Sequence, residues 1–562
     1  MPATTSATSA SAVPKIDTST WHLHVKHLAV RIDFDKLLAL TCGDDEIATR
    51  FAHASGWALD KSRYEPVLRA CPHKRGANTP YTTLSSADVA IMLERGVIAR
   101  IDPDHVQGHV ILFRVPEPAK NRWRPIRYTK DINDVLGRET LASSIGMATK
   151  ADIISLVRKG SHCISFDAAA FFDQFCLDPE IQRLMCFRKG RKWYRLVTSP
   201  MGQRQSVELA HSAMQKLAHH PDLECSTAVI IDNCIYVGSF DRCLRDAHRF
   251  LERCAHVGCT INEDTSDVAS LIVTEQEWAG IAIDLTNKRT KLTSKMIGKL
   301  ELSWSLRDFW TRRSFASHMG LLFWAVGIVI VNPGDFFPVL KFYANMCREA
   351  SYIADAPESI QNAFWATPIS FPSDVEADLT AWTAQVSKNV SKFVHPVKSG
   401  LPDWLVSVDA CRTGFGYCAL NPATGETRSH GQRWPTDFML KQRHLLHRSV
   451  FTEPNGVIMS MCHLLTHTGE RQRVHIWTDS VTTMTGGNRG FNSRSADVND
   501  CLRRLRALFP SELYHFSFSH IAGSDNVAAD AASRGRHVSF KDVEGAAAQM
   551  LESFGGEAAD RA

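Results

Sequence analysis

Acidic residues recur at the ends of apolar, strand-like runs in this chain of 562 residues. Leu405-Val-Ser-Val-Asp409 ends in an aspartate and turns through Ala-Cys-Arg-Thr-Gly-Phe-Gly416. Val474-His-Ile-Trp-Thr-Asp479 repeats the device, and Glu453 opens an apolar helical stretch through Val457, Ile458, Met461 and Leu464. Farther on, His520-Ile-Ala-Gly523-Ser-Asp-Asn526 carries a strand through a turn into an alanine-rich helix that holds Asp530 and closes with Ser533-Arg534. Four carboxylates on separate elements repel one another unless something compensates. Two divalent cations, Mg²⁺ or Mn²⁺, would do so, one activating water and the other stabilising a leaving oxygen. His520 would shuttle a proton or help release product. Any one of these acids alone reads as a solvated strand end; the ordered set with its histidine points to chemistry. Pro454 is tolerated at the first position of a helix, so Glu453 can open one; Glu470 is the alternative acid.

A second constellation lies upstream. His162-Cys-Ile-Ser-Phe-Asp167 delivers an aspartate with Phe172 five residues later, and Val229-Ile-Ile-Asp232-Asn233 delivers another. Side by side, Asp167 and Asp232 would hold two Mg²⁺ or Mn²⁺ ions against a nucleoside triphosphate for in-line attack by a hydroxyl. Between them, Ser199-Pro-Met-Gly202-Gln-Arg-Gln-Ser206 reads as a turn into a helix, with Gly202 allowing close backbone approach and the helix N-terminus favouring phosphate. The basic loop from Lys120 to Pro125, with Arg122, Trp123 and Arg124, and Arg127 just beyond, adds forked cations suited to phosphate oxygens. The run Arg188-Lys-Gly-Arg-Lys192 before Trp193-Tyr194 reads equally as a nucleic-acid contact or as a solvated hairpin.

The elements that must position these groups follow from patterning. Hydrophobic residues are 44% and charged residues 22% of the chain, a globular composition, and the length calls for several compact units. A net charge of +4 says little about partners. Fifteen cysteines without a Cys-x-x-Cys pair suit reduced thiols of an intracellular protein rather than zinc ligands. The Ala-, Ser- and Thr-rich start lacks the apolar core of a signal peptide. The longest apolar run, Gly320 to Val331, is too short to cross a bilayer and reads as a buried helix. A helix is expected from Ser85 to Gly96 with Ser86 as its cap, then a strand over Val110–Val115 stopped by Pro116. Strands follow at 162–167, 193–198, 227–237 and 278–285, with helices near 203–218 and 241–256, an α+β pattern. Residues 295–395 read as helical, Lys398–Pro402 as a boundary turn, and strands resume at 404–408, 415–420, 474–478 and 515–521. From about Gly545 the chain reads as frayed, and residues 21–83 show no chemistry.

Asp409, Glu453, Asp479 and Asp530 in that order, with His520 ten residues before the last, resemble the RNase H family as found at the C-terminus of retroelement polymerases, over residues 403–540. Residues 110–285 resemble reverse transcriptase fingers and palm. In that resemblance Asp167 and Phe172 match the first motif, Phe172 being the gate that selects deoxynucleotides. Ser199–Ser206 matches the Pro-x-Gly motif, Ile230–Asn233 stands where Tyr-x-Asp-Asp is usual, and Glu277–Ile281 matches the primer grip. The order of parts resembles the polymerases of tyrosine-recombinase retrotransposons (DIRS, Ngaro and VIPER elements). The resemblance implies an α+β right-hand polymerase of fingers, palm and thumb with a helical connection, followed by an RNase H-like α/β domain with a mixed sheet. The segments are a tail at 1–20, an N-terminal extension at 21–84, fingers and palm at 85–290, thumb and connection at 291–399, RNase H at 400–540 and a tail at 541–562. It further implies RNA-directed DNA synthesis and cleavage of the RNA strand of RNA–DNA hybrids, with two Mg²⁺ or Mn²⁺ ions in each site. Asp167, Asp232 and Asn233 would serve polymerisation, the backbone carbonyl of Ala168 assisting, and Arg124, Phe172 and Gly202 would bind substrate. Partners are then an RNA template, a DNA primer, the hybrid and deoxynucleoside triphosphates, in the cytoplasm or nucleus, with no membrane and with a homodimer as one form of assembly. The chain departs from the family pattern at Asn233, at Ile230, and at Cys259-Thr-Ile-Asn262-Glu-Asp-Thr265, which lacks the family's lysine; Lys288 and Lys291 are nearby in sequence. Those departures motivate two other readings, a retired polymerase scaffold that retains only RNase H activity and a structural subunit of a competent chain.

Overall fold

The structure is a computed structural model and describes residues 18–70, 82–137, 146–394, 400–465, 471–492, 494–511 and 513–559. Most of the expected tail at 1–20, Glu470 and the start of the turn at Lys398 lie outside the described residues. The chain divides into two compact units: residues to Ala279 with Asp284–Thr286, and Gly280–Ile283 with Asn287 onward. The boundaries expected at 84/85 and 399/400 fall inside units. The described secondary structure is mixed α and β.

In the first unit, α1 (Ser86–Glu94) is capped by Ser85, not Ser86, in a reciprocal capping box with Asp88. The strands are β1 (Ile98–Arg100), β2 (Ile111–Glu117), β3 (Arg122–Tyr128), β4 (His162–Asp167), β5 (Cys186–Lys189), β6 (Lys192–Leu196), β7 (Ser226–Ile230) and β8 (Asn233–Gly238). β2 runs through Pro116 instead of stopping there. Among the described residues it pairs in a ladder only with β3, and an edge strand tolerates the missing N–H. The basic segment around Arg124 is therefore strand β3, not a loop.

β4, β8 and β7 form an antiparallel sheet with β8 in the centre. Helices α2 (Arg204–Ala218) and α3 (Phe240–Val257) pack on it. In α3 the buried Cys243, Ala247, Phe250, Cys254 and Val257 recur at helical spacing, and Phe250 stacks on Phe166 of β4 with ring centroids 5.0 Å apart. α2 is buried along its length except at Arg204 and Val207, which places the polar Glu208 and His211 in the interior. Residues of the 21–83 stretch, among them Phe51, Trp57 and Tyr64, belong to the same core as Phe166 and Tyr236.

The chain leaves β9 (Glu275–Trp278) through a turn with positive φ at Ala279 and Gly280, enters β10 (Ile281–Asp284) and continues into β11 (Arg289–Leu292). In the second unit, helices α4 (Ser294–Ser305), α5 (Arg312–Ala325), α6 (Phe337–Tyr352) and α7 (Ser373–Ser387) follow, and β12 (Lys392–Phe393) pairs with β11. The apolar run to Val331 is helical only as far as Ala325. Val326 leaves the helix and Gly327 has φ 91°, so the remainder forms a turn in which Ile328 and Val329 are buried and Ile330 is exposed. No helix among the described residues is long and apolar enough to cross a membrane.

The rest of this unit is a mixed sheet of β13 (Trp404–Ala410), β14 (Gly414–Leu420), β15 (Thr427–Arg433), β16 (Gln472–Thr478) and β17 (Tyr514–His520), in the order β15-β14-β13-β16-β17. β13, β16 and β17 run parallel, with β14 and β15 antiparallel beside them. The helices are α8 (Ser449–Leu464), α9 (Val481–Arg489), α10 (Ala496–Leu508), α11 (Val527–Ser533) and α12 (Phe540–Ala559). β13 and β14 are buried along their whole length, as strands covered on both faces must be. Val406 and Val408 meet Ile458 and Met461 of α8 on one face, and Leu405 and Leu420 meet Ala547 and Met550 of α12 on the other. The segment from Gly545 is thus helix rather than a frayed tail.

Candidate active sites

Parallel pairing of β13 with β16 brings the C-terminal ends of two strands together, the edge where open α/β sheets place their ligands. Asp409 sits there on β13 and Asp479 just beyond β16. Glu453 descends from α8, which starts at Ser449, so Pro454 lies inside the helix rather than at its first position. One oxygen of each of these three acids lies within 4.8 Å of the others, the only such group among the described residues. Asp409 is 7% exposed and Glu453 5%. Burial pushes the Glu453 carboxyl up to about 9, and the charges of Asp479 and Asp409 push the same way. Burial also raises Asp409; a hydrogen bond from Ser533 Oγ at 2.6 Å opposes the shift, while Asp479 and Asp530 add to it. Among the described residues Glu453 Oε2 has no hydrogen-bond partner. An unpartnered buried carboxylate oxygen facing two more carboxylates fits a hard divalent cation.

Asp530 reaches the same end of the sheet on α11, and glycine makes the approach possible. A Cβ on Gly416 would lie 2.4 Å from the Ser533 nitrogen, and one on Gly431 would lie 2.1 Å from the Ala532 carbonyl oxygen. Asn526, buried ahead of α11, donates to the Val408 carbonyl at 2.9 Å and ties the turn to β13. Asp530 is close enough to raise Asp409, yet its Oδ1 accepts from Arg534 Nε and a terminal guanidinium nitrogen at 2.7 and 2.6 Å. The structure therefore gathers three of the four expected acids and turns the fourth toward a cation. His520 is exposed, with Nε2 3.2 Å from the Asp479 backbone carbonyl. The contacts of Ser533 and Arg534 were not anticipated, although Asp530 and Arg534 are four apart on a helix, a spacing at which side chains meet.

In the first unit, Asp167 ends β4 opposite Asn233 at the start of β8. Asp232 lies in the turn between β7 and β8, so the apolar run ends in a hairpin and not in one continuous strand. Burial raises Asp232 and the charge of Asp167 raises it further, while Arg124 draws it down. The Asn233 amide donates to Asp232 Oδ1 at 3.1 Å, and the Ala168 N–H donates to the Asp232 carbonyl at 2.8 Å. The turn is strained: Ile231 has φ 55°, a region that β-branched residues rarely enter. The Ile231 N–H donates to Nδ1 of the buried His211 on α2 at 3.1 Å, a positioning contact that sequence reading missed.

Around Asp167 lies a set of side chains also absent from the expectation. The Asn262 amide donates to the Asp167 carboxylate, and Lys26 Nζ donates to Asn262 Oδ1 at 2.5 Å. Both oxygens of Glu263 accept from the Asp167 N–H at 3.1 Å. Lys26 comes from the stretch that showed no chemistry, and it brings a cation beside the motif that has no lysine of its own. Lys288 and Lys291 belong to the second unit.

The expected phosphate-facing cations separate. Arg122 pairs with Glu117, and the buried Arg127 pairs with Asp173; neither is free for phosphate. Arg124 is exposed, has no carboxylate partner among the described residues, and donates to Met201 Sδ at 2.9 Å. A Cβ on Gly202 would lie 2.2 Å from the Arg127 carbonyl oxygen, so the close approach expected there is to β3. Phe172 is half-buried against the core. Arg188–Lys192 forms the β5–β6 hairpin, with Arg188 over the Trp193 ring.

No protein-family model matches the chain, and no curated protein matches it. Among solved structures it is similar to a foamy viral protease-reverse transcriptase in complex with double-stranded DNA, at TM-score 0.45 and 12% identity, covering 88% of this chain and 83% of that one. A second such complex gives 0.42 and 12%, covering 88% and 99%. The same viral protein in complex with an RNA/DNA hybrid gives 0.41 and 12%, covering 88% and 64%.

Proposed function

We propose that this chain is an RNA-directed DNA polymerase of a retrotransposon with a fused RNase H. The observation that carries the reading is the convergence of Asp409, Glu453 and Asp479 at one end of a mixed sheet, with Glu453 Oε2 unpartnered. Asp409, Glu453 and Asp479 would hold divalent cations, and Asp530 would join them by exchanging Arg534. Bound Mg²⁺ or Mn²⁺ supplies an activated water and neutralises charge on the phosphate under attack. His520, at the rim beside Asp479, takes up or delivers a proton there. In the right-hand reading, the β2–β3 and β5–β6 hairpins are fingers, the β4-β8-β7 sheet is palm, α4–α7 are thumb and connection, and β13–β17 with their helices are the RNase H domain. Asp167 and Asp232 would hold the polymerase cations. Arg124 would meet phosphate, Phe172 the sugar of the incoming nucleotide, and Lys26 would supply the missing cation. The order of these parts and the Asp232-Asn233 variant support placing the chain among tyrosine-recombinase elements.

The test is primer extension on an RNA template beside cleavage of an RNA–DNA hybrid, each with Mg²⁺ and with Mn²⁺. Asp167→Asn should abolish extension and spare cleavage, and Asp479→Asn the reverse. A wild-type chain that neither extends nor cleaves would overturn the reading. The hydrogen bond from the Asn233 amide to Asp232 favours one further reading, since it occupies a carboxylate oxygen that a cation would need. Under that reading the polymerase part binds nucleic acid without extending it, and cleavage survives alone.

A further inference from the structure

At the base of the hairpin that presents Asp232, two cysteines meet. Cys225 lies just before β7 and Cys243 in the first turns of α3, with their sulfurs 3.8 Å apart. Both are free thiols. Cys225 is 7% exposed and Cys243 fully buried. Gly238, the last residue of β8, leaves room for the pair, since a Cβ there would lie 2.8 Å from Cys225 Sγ.

The backbone around them is pinned. Asp246, one turn beyond Cys243 on α3, accepts from the N–H groups of Glu224 and Cys225 at 3.1 and 2.7 Å. His220 Nε2 lies 3.2 Å from its other oxygen. Helix α3 therefore holds the Cys225 backbone through Asp246 and meets its sulfur through Cys243. A hydrogen bond from the Cys225 thiol holds the Cys243 thiol below its usual range, against burial; the Gly238 backbone draws it the same way and the Asp246 charge opposes. The same contact pushes Cys225 up. Cys243 is thus the readier thiolate, and Cys225 keeps the proton beside it. Reactive dithiols divide their roles in this way.

We infer that Cys225 and Cys243 are a redox dithiol, joined reversibly as a disulfide by a small peroxide, and that the bond governs how the hairpin presents Asp232. So little exposure suits a reagent no larger than a peroxide. The Cys243 thiolate attacks a peroxide oxygen and the O–O bond breaks. Hydroxide departs with the proton that Cys243 released, leaving a sulfenic acid on Cys243. The Cys225 sulfur then attacks that sulfur, the S–O bond breaks, and the departing hydroxide takes the Cys225 proton as water. With hydrogen peroxide, two thiols lose two electrons in all and one peroxide becomes two waters. A dithiol reductant reverses the bond by exchange.

To bond, the sulfurs close from 3.8 Å to about 2.0 Å. The ring so formed contains β7, the Asp232–Asn233 turn and β8. Rotation of the side chains takes up part of the closure and the start of β7 the rest. β7 runs unbroken from Ser226 to Ile230, next to the strained Ile231. A misplacement of about 1 Å is enough to cost on the order of 10²-fold in rate. The cross-link stands independently of the polymerase reading; its effect on extension rests on that reading.

The test compares the full chain reduced and after hydrogen peroxide. Remaining thiols are blocked with N-ethylmaleimide, and an unreduced digest is read by mass spectrometry. A peptide pair linked through Cys225 and Cys243 should appear with peroxide and vanish with dithiothreitol. Primer extension should slow several-fold in the linked chain and recover on reduction. Cys225→Ser should form no link and keep its extension rate through the same treatment. Peroxide-treated wild type with both cysteines still alkylated, or with Cys243 joined to Cys163 of β4 instead, would overturn the inference. So would a linked chain that extends as fast as the reduced one. A reduced chain that never extends but still forms the link would sink the polymerase reading and leave the dithiol standing.

Discussion

At the residue scale, charge partners outside the motifs decide what each carboxylate can do. Lys26 reaches Asp167 through Asn262, so Lys26→Gln keeps a donor and removes the charge. It should reduce kcat for primer extension on the order of 10²-fold, the size expected when a charge-stabilising or proton-donating group is lost, with little change in KM for template–primer. Lys26→Arg should recover part of the rate, and pre-steady-state extension checks both. Arg534 makes the opposite case, because it holds Asp530 as a resident counter-ion. Removing it by Arg534→Gln frees the fourth acid and should lower the Mn²⁺ concentration needed for half-maximal binding in calorimetry. The pair is partly exposed, and surface ion pairs contribute about 0–1 kcal/mol, so the melting temperature should scarcely move. Weaker Mn²⁺ binding in this variant would show that Arg534 orients Asp530 for the ion instead of competing with it.

At the element scale, close backbone approach is what delivers Asp530 to Asp409. Gly416→Ala places a methyl group against the backbone of α11. It should cost the second unit about 1–3 kcal/mol by overpacking and reduce hybrid cleavage, which thermal melting and a cleavage assay would both register. Much of this arrangement was legible in the sequence. Apolar runs ending in Asp167, Asp409 and Asp479 announced strands, because a run buried on both faces has few other uses. The stripe from Cys243 to Val257 announced α3, and the alanine-rich stretch after Asn526 announced α11. What escaped notice had physical causes. β15, Thr-Arg-Ser-His-Gly-Gln-Arg, is a polar edge strand without the alternation that reveals a buried face. α12 looked frayed because its alanines and glycines conceal Val543, Ala547 and Met550, which are buried. Pro116 misled because the rule that proline ends a strand does not hold at an edge. Lys26, His211 and Ser533 were invisible as partners because each acts on a residue more than 15 positions away in the chain, where spacing carries no information.

At the scale of the whole molecule, the buried acids couple stability to pH and, under the proposed function, to divalent cations. Glu453 ordinarily titrates near 4.5 and is pushed up to about 9 in the folded chain, burial being the first cause. Below 4.5 the folded and unfolded chains both hold the proton, and the group adds no pH dependence. Between 4.5 and about 9 the folded chain holds more protons than the unfolded one, so stability falls as pH rises. Asp409, raised in the same direction, steepens the low-pH part of that fall. A cation bound by the ionised carboxylates removes the penalty and displaces the proton, so its stabilisation must grow with pH over the same window. Melting the chain with EDTA and with Mg²⁺ at pH 5.5, 7 and 8.5 should therefore show a Mg²⁺-induced rise that widens with each step. Glu453→Gln should raise the melting temperature in EDTA, flatten its pH dependence and shrink the Mg²⁺ effect. If Mg²⁺ stabilised wild type and Glu453→Gln equally at pH 8.5, the ion would be held by other groups, and Asp409 and Asp479 would have to be tested without Glu453 as their partner.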